Sequence, residues 1–123
     1  MKKGSGIYYL YDDNRKLIYI GKSNNLLERV ISSANMKSKS YFARCSFIEN
    51  MSDMDIYEIY LISIYKPILN KDCIRNDITT ISIKEPTIDT DFIRLRGNVP
   101  KRFGNVHMQL AYQDIKRIIN IRL

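Results

Sequence analysis

Residues 6–21 read GIYYLYDDNRKLIYIG, which is two apolar runs around a polar centre. The runs 6–11 and 17–21 are rich in β-branched and aromatic residues, which favour strands, and the polar run 12–16 has the composition of a turn. This stretch therefore predicts a β-hairpin. It holds several of the nine tyrosines of the chain, a concentration that is typical of sheet packing.

The two strands of the hairpin can pair in more than one register. A two-residue turn at Asp13-Asn14 would place Tyr8 opposite Tyr19 on one sheet face, with both hydroxyls able to converge on one ligand. A three-residue turn would instead place Tyr9 opposite Tyr19. At the level of the sequence both registers remain open.

Two helices and a third strand are predicted after the hairpin. Ser23 or Asn24 can cap a first helix over 24–35, in which apolar residues recur at helical spacing. The pattern then predicts a third strand over 43–48 and a second helix over 53–66. Apolar residues lie almost all round this second helix, so we expect it to be deeply packed.

Ser52 and Asp55 resemble a capping box at the start of the second helix, and Pro67 should end it. Beyond residue 70 the pattern predicts, in order, a strand over 78–83, a short strand over 92–95, a glycine-containing basic loop and a final helix over 108–121.

Together these elements predict a small α/β (α+β) domain, in which helices flank a three-stranded antiparallel sheet. We expect this domain to cover residues 1–73, and residues 74–123 to form a C-terminal extension packed on it. No stretch approaches the roughly 18 apolar residues of a membrane span. Cys45 and Cys73 lack neighbours at zinc-ligand spacing. We expect a soluble, cytoplasmic protein with reduced cysteines and no zinc.

Glu58 is the most informative single residue, because it is the only charge inside the second helix between Asp55 and Lys66. Its neighbours three and four positions away include no cation, so the same helix cannot pair it. Its partner must come from another element or be a metal ion. The alternative is a surface glutamate on the one exposed edge of the helix.

The motifs resemble those of the GIY-YIG nuclease family. The elements that match, in order, are Gly6-Ile7-Tyr8, Tyr19-Ile20-Gly21, Lys22, Arg29 on the following helix, Glu58 on a later helix, and Pro67-Ile68-Leu69-Asn70. In overall spacing the chain is similar to members that incise DNA in bacterial nucleotide-excision repair. The resemblance covers about residues 4–72.

The resemblance implies a role for each matched residue in DNA phosphodiester hydrolysis. Tyr8 would orient or deprotonate the attacking water, Tyr19 and Arg29 would contact the scissile phosphate, Glu58 would hold one Mg²⁺ or Mn²⁺ ion, Asn70 would brace the site, and Lys22 would occupy a position that is often basic. Because a tyrosine is a poor proton acceptor at neutral pH, it needs nearby positive charge. Lys22, Arg29 and the metal ion could supply it.

One position departs from the family pattern. Many members have a His or Tyr four residues after the helix arginine, and this chain has Ser33. Serine can hydrogen-bond a phosphate or a water molecule but does not titrate usefully. His107, the one histidine, lies too far along the chain to be expected as its substitute.

The net charge of +7 favours an anionic partner, and the resemblance implies that this partner is DNA. The expected DNA-contacting residues are Lys22, Arg29, Arg94, Arg96, Lys101 and Arg102. Two other classes of function remain alternatives: a catalytically silent DNA-binding module on the same fold, and a protein-interaction domain, or a dimer, that uses the final helix.

Overall fold

A computed structural model describes residues 4–70, 76–96 and 116–117. Within these ranges it has four strands and two long helices: β1 (Gly6–Tyr11), β2 (Leu17–Ser23), α1 (Leu26–Met36), β3 (Phe42–Phe47), α2 (Met51–Tyr65) and β4 (Ile93–Arg94). The strands form one antiparallel sheet in the order β2-β1-β3-β4. The predicted fold class is thereby confirmed.

The sheet has a fourth strand that the predicted three-stranded sheet lacked. Ile93 and Arg94 pair with Ala43 and Phe42 of β3. Without this pairing β3 would present its unpaired backbone groups along an open edge. Ile93 and Leu95 are buried in the same apolar cluster as Tyr8, so this part of the predicted extension packs on the core.

β1 lies inside the sheet, between β2 and β3, and all six of its residues are buried. Its side chains alternate between two apolar clusters, as the period of a strand requires. Tyr8 and Leu10 join the cluster that contains residues of α1, whereas Ile7 and Tyr9 join the cluster that contains residues of α2. The two helices therefore cover opposite faces of the sheet.

Neither register considered for the hairpin is the one that forms. Tyr19 lies opposite Leu10, and Tyr8 lies opposite Gly21. The connection is longer than either predicted turn, because the Asp12 carboxylate accepts hydrogen bonds from the backbone N–H groups of residues 14 and 16 and stabilises a wider loop. The pairing also shifts between Leu10 and the next residue.

The helix caps differ from the predicted ones by one or two residues. Asn25, rather than Ser23 or Asn24, caps α1, and Asn50, rather than Ser52, caps α2. In both cases the asparagine side chain accepts the backbone N–H three residues later, at 3.2 and 3.0 Å. The first helix begins and ends close to its predicted bounds of 24–35.

The expectation that the second helix is deeply packed is wrong. Met54, Leu61 and Ile62 are buried, but the side chains of Ile56 and Ile59 are 57% and 70% exposed. The helix covers one face of a small sheet, so only the side that faces the sheet can be buried. The predicted strand over 78–83 does not form either, since these residues pair with no strand in the described part of the chain.

Most of the final predicted helix, 108–121, lies outside the described residues, and only Lys116 and Arg117 are described, both helical and exposed. Cys45 is a free, buried thiol, and Cys73 lies outside the described ranges. In those ranges no helix has the length and apolar character that a bilayer crossing requires.

Candidate active site

The tyrosines of the two tripeptides meet on the face of the sheet that α1 covers. The ring centroids of Tyr8 and Tyr19 are 5.9 Å apart, with the ring planes tilted by 38°. The residues are diagonal neighbours, since Tyr8 lies opposite Gly21 and Tyr19 opposite Leu10. Two residues that are eleven positions apart in sequence thus form one aromatic pair.

The glycine of the second tripeptide makes room for the tyrosine of the first. A Cβ atom at Gly21 would lie 2.4 Å from Cζ and 2.5 Å from the hydroxyl of Tyr8. The Tyr8 ring therefore rests directly on the backbone of β2. Any larger residue at position 21 would displace it.

The glycine of the first tripeptide has a different role. Gly6 has a φ of +152°, and a Cβ atom there would lie 1.9 Å from the carbonyl oxygen of Ser46. Only glycine allows β1 to approach β3 in this way. The motif glycines thus build the sheet on which the tyrosines lie.

Ser33 and Lys37, at the end of α1, contact the tyrosine pair. The Tyr8 hydroxyl lies 3.4 Å from Ser33 Oγ, and the Lys37 ammonium donates to the same oxygen at 3.1 Å. The ammonium also lies 4.2 Å from the Tyr19 ring centroid. Burial, and to a smaller extent the charge of Arg29, lower the pKa of Lys37. Lys37 was not among the predicted site residues, although its position four residues after Ser33 could have indicated the contact.

Glu58 has no cation on its own helix to pair with, and its partner is Lys22 of β2. The Lys22 ammonium lies 3.9 Å from Glu58 Oε1 and 2.6 Å from Asp55 Oδ1. Burial raises the pKa of the Glu58 carboxyl, while the Lys22 charge and a hydrogen bond from the Lys22 backbone N–H lower it in part. Asp55, which sequence reasoning considered only as a helix cap, is therefore part of this cluster.

The matched residues do not all line one face of the sheet, as a single cleft would require. Tyr19 packs with the α1-side cluster, whereas Lys22 lies opposite Ile7, which belongs to the α2-side cluster. Side chains alternate along a strand, so positions 19 and 22 point to opposite faces. The tyrosine pair and the Lys22–Glu58 pair are instead joined through β2, the edge strand of the sheet.

Asn70 holds the outer edge of β2. Its amide accepts the backbone N–H of Ile20 and donates to the Ile20 carbonyl, both at 2.9 Å, and its side chain is buried. Leu69 adds a backbone hydrogen bond to Ile18 at 2.9 Å. The segment that ends in Asn70 therefore covers this edge in the way that a further strand would.

The expected DNA-contacting residues have different environments. Arg29 and Arg94 are exposed. The Arg96 guanidinium instead donates to the carbonyls of Ala34, Lys37 and Ser40, at 2.7, 3.2 and 2.6 Å, and thereby caps the end of α1. This engagement gives Arg96 a structural role. Lys101, Arg102 and His107 lie outside the described residues.

The oxygen donors near Lys22 suit a hard cation. Glu58 and Asp55 offer carboxylates, the ligands that Mg²⁺ prefers, and Mg²⁺ needs only one or two of them beside its waters. Within the described ranges no three His, Cys, Asp or Glu residues gather to form a full ligand cage. Burial and the neighbouring Asp55 charge raise the pKa of Glu58, and a divalent ion between the two carboxylates would offset both effects. The residues present therefore fit one partly hydrated divalent ion.

Comparison with known proteins agrees with this geometry. Residues 4–70 match the UvrC-like GIY-YIG domain. The UvrABC system protein C of Dictyoglomus thermophilum is 37% identical over 76 residues, which are 55% of this chain and 13% of that protein. The protein of the same name from Helicobacter pylori is 41% identical over 46 residues, 37% of this chain and 6% of that protein. The one from Lactobacillus delbrueckii subsp. bulgaricus is 36% identical over 77 residues, 54% of this chain and 12% of that protein.

Proposed function

Because this chain belongs to the family of UvrC-like GIY-YIG domains, a nuclease family, we propose that it is an endonuclease that hydrolyses DNA phosphodiester bonds with the help of one Mg²⁺ or Mn²⁺ ion. The observation that carries the proposal is the contact between the two motif tyrosines, which the motif glycine at position 21 makes possible. The chain spans 13% or less of the relatives it matches, so the name of those whole proteins adds support only for the nuclease domain.

The chemistry of phosphodiester cleavage gives each residue a task. Negative charge grows on the phosphoryl oxygens in the transition state, and the guanidinium of the exposed Arg29 would stabilise it. Tyr8 and Tyr19 offer hydroxyls to the attacking water and the phosphate. Glu58, with Asp55 beside it, would hold the divalent ion, which when bound supplies Lewis-acid stabilisation of the phosphate. Asn70 fixes the strand between these groups.

One observation favours the alternative of a DNA-binding module without activity. Lys22 already pairs with Asp55 and lies close to Glu58, so a metal ion must compete with an ammonium group. If Lys22 keeps these carboxylates, the domain binds DNA and does not cut it. The intact set of motif residues favours the active enzyme.

A nicking assay separates these functions. We expect the purified chain to convert a supercoiled plasmid, or a labelled single-stranded, duplex, flapped or branched DNA, to cut product in Mg²⁺ or Mn²⁺ and to stop in excess chelator. Activity that persists in chelator would contradict metal dependence. Tight DNA binding with no cut product on any of these substrates would establish the silent module instead.

A further inference from the structure

Lys37 is the cation that contacts the tyrosine pair. Its ammonium donates to Ser33 Oγ at 3.1 Å and lies 4.2 Å from the Tyr19 ring centroid, while the same Ser33 oxygen is 3.4 Å from the Tyr8 hydroxyl. The Lys37 ammonium therefore contacts Tyr19 directly and is connected to Tyr8 through Ser33 Oγ. The arrangement includes Ser33, which occupies a position where many family members have His or Tyr.

Of the two side-chain cations expected beside the tyrosines, Lys22 lies on the other face of the sheet and, in the described ranges, Arg29 contacts neither ring. Lys22 is directed to Asp55 and Glu58 on the side of the sheet that α2 covers. Arg29 is exposed on α1 and lies close enough to Lys37 for its charge to lower the pKa of that ammonium, but within the described part of the chain it makes no ring contact with Tyr8 or Tyr19. Lys37 is thus the cation that directly contacts the Tyr19 ring and Ser33 Oγ.

The position of Lys37 is fixed by its surroundings. Its backbone N–H donates to the Ser33 carbonyl at 3.0 Å, and its own carbonyl accepts from the Arg96 guanidinium at 3.2 Å. Arg96 also binds the carbonyls of Ala34 and Ser40. The segment around Lys37 is therefore tied to the β4 region of the chain, which restricts where its ammonium can lie.

We propose that Lys37 is a positioning residue for the tyrosine site, and that the Ser33–Lys37 pair takes the place of the larger His or Tyr side chain. With the Lys37 ammonium on one lone pair of Ser33 Oγ, the other lone pair accepts the proton of the Tyr8 hydroxyl. The lone pairs of the Tyr8 oxygen are then not used by Ser33, and a water molecule that reaches this buried hydroxyl can donate to them. This inference rests on the proposed nuclease function.

The test compares Lys37→Met with Lys39→Met, a substitution of an exposed lysine two residues later that removes the same charge. We expect Lys37→Met to lower kcat by about tenfold or more with little change in KM, because Lys37 acts on the orientation of Tyr8 and not on the DNA. Lys39→Met should leave kcat unchanged. The double variant Ser33→His/Lys37→Met, which restores a family residue, should recover part of the lost rate.

Equal kcat values for Lys37→Met and Lys39→Met would overturn the proposal, as would a Lys37→Met defect confined to KM. Near-UV circular dichroism makes the result independent of activity. The tyrosine signal should change in Lys37→Met and not in Lys39→Met, because of these two lysines Lys37 is the one with a tyrosine-ring contact in the described part of the chain. If the parent chain shows no cleavage, the proposed function fails, and an unchanged spectrum would separately remove Lys37 from the site.

A second, independent observation concerns three arginines at the hairpin end of the sheet. Arg15 lies 5.0 Å from the ring centroid of Phe42 and 4.7 Å from that of Phe92. Arg94 lies 5.4 Å from the Phe42 centroid, and Arg44 lies 4.4 Å from the Phe92 centroid. We call Arg15, Arg44 and Arg94 the arginine patch.

None of these three arginines pairs with a carboxylate among the described residues. Cation–π contacts hold the guanidinium groups beside shared rings, yet the like charges repel one another. An anion that lies between them relieves this repulsion. Arginine presents its donors in a planar fork that matches a phosphate, and both Arg15 and Arg94 are exposed.

We propose that the arginine patch binds backbone phosphates of the DNA. This proposal, like the first, rests on the proposed function.

The double variant Arg15→Gln/Arg94→Gln should lower the slope of log affinity against log salt by about two, because each substitution removes one cation that binds a phosphate. The matched control is Lys16→Gln/Lys84→Gln, two exposed lysines outside the patch. A slope equal to that of the control would assign the patch to packing alone. The assay measures binding, so a chain that binds DNA but does not cleave it still tests the patch.

Discussion

At the scale of single residues, the family motif has a physical explanation in the contact between Tyr8 and Gly21. The tyrosine ring lies where the side chain of any other residue at position 21 would be. Each tripeptide is therefore incomplete without the other, and the hairpin has to form before the tyrosine pair can. Gly6 contributes separately, through a φ of +152° that lets β1 approach β3.

Gly21→Ala tests this contact through stability. The added methyl group meets the Tyr8 ring in a buried site, and overpacking of this kind costs about 1–3 kcal/mol of unfolding free energy. In a Tyr8→Ala background the ring is absent, so the same substitution should cost much less. Urea denaturation of the four proteins of this double-mutant cycle measures the difference. Equal costs in both backgrounds would show that Gly21 has a different role.

At the scale of elements, the hairpin, the first helix and the third strand were predictable because apolar residues recur with the period of each element. The register was not, since a hydrogen-bonding aspartate at residue 12 widens the loop by contacts that the period of the strands does not encode. Likewise, the apolar residues all round α2 did not reveal that only one side faces the sheet.

The candidate site was predictable only in part, for a reason that also lies at this scale. The tyrosines and Glu58 were identified from motifs and from the absence of a same-helix cation. Lys37 was missed because its role depends on where the end of α1 meets the Tyr19 ring. The Lys22 ion pair with Asp55 depends on how α2 packs beside β2. Both the Lys37 contact and the Lys22–Asp55 ion pair depend on how elements that are separate in sequence pack together.

At the scale of the whole molecule, some cations bind groups within the protein and others face solvent. The net charge of +7 favours a polyanion, but Lys22 is largely neutralised by its carboxylate neighbours and Arg96 is bonded to backbone carbonyls. The exposed Arg29, and Arg15 and Arg94 of the arginine patch, carry positive charge that solvent can reach. A DNA substrate would thus meet its cations on the surface, while the carboxylates lie near the edge strand.

The central claim, that Glu58 makes this domain a metal-dependent nuclease, is tested most directly by the nicking rate of Glu58→Gln in Mg²⁺. The control is Glu49→Gln, which removes one exposed carboxylate before α2 and should leave the rate unchanged. Losing the ion that stabilises transition-state charge should lower the rate of Glu58→Gln by orders of magnitude. DNA affinity should hold or rise, because one negative charge has left a site for a polyanion. Nicking by Glu58→Gln at the parental rate would contradict the account.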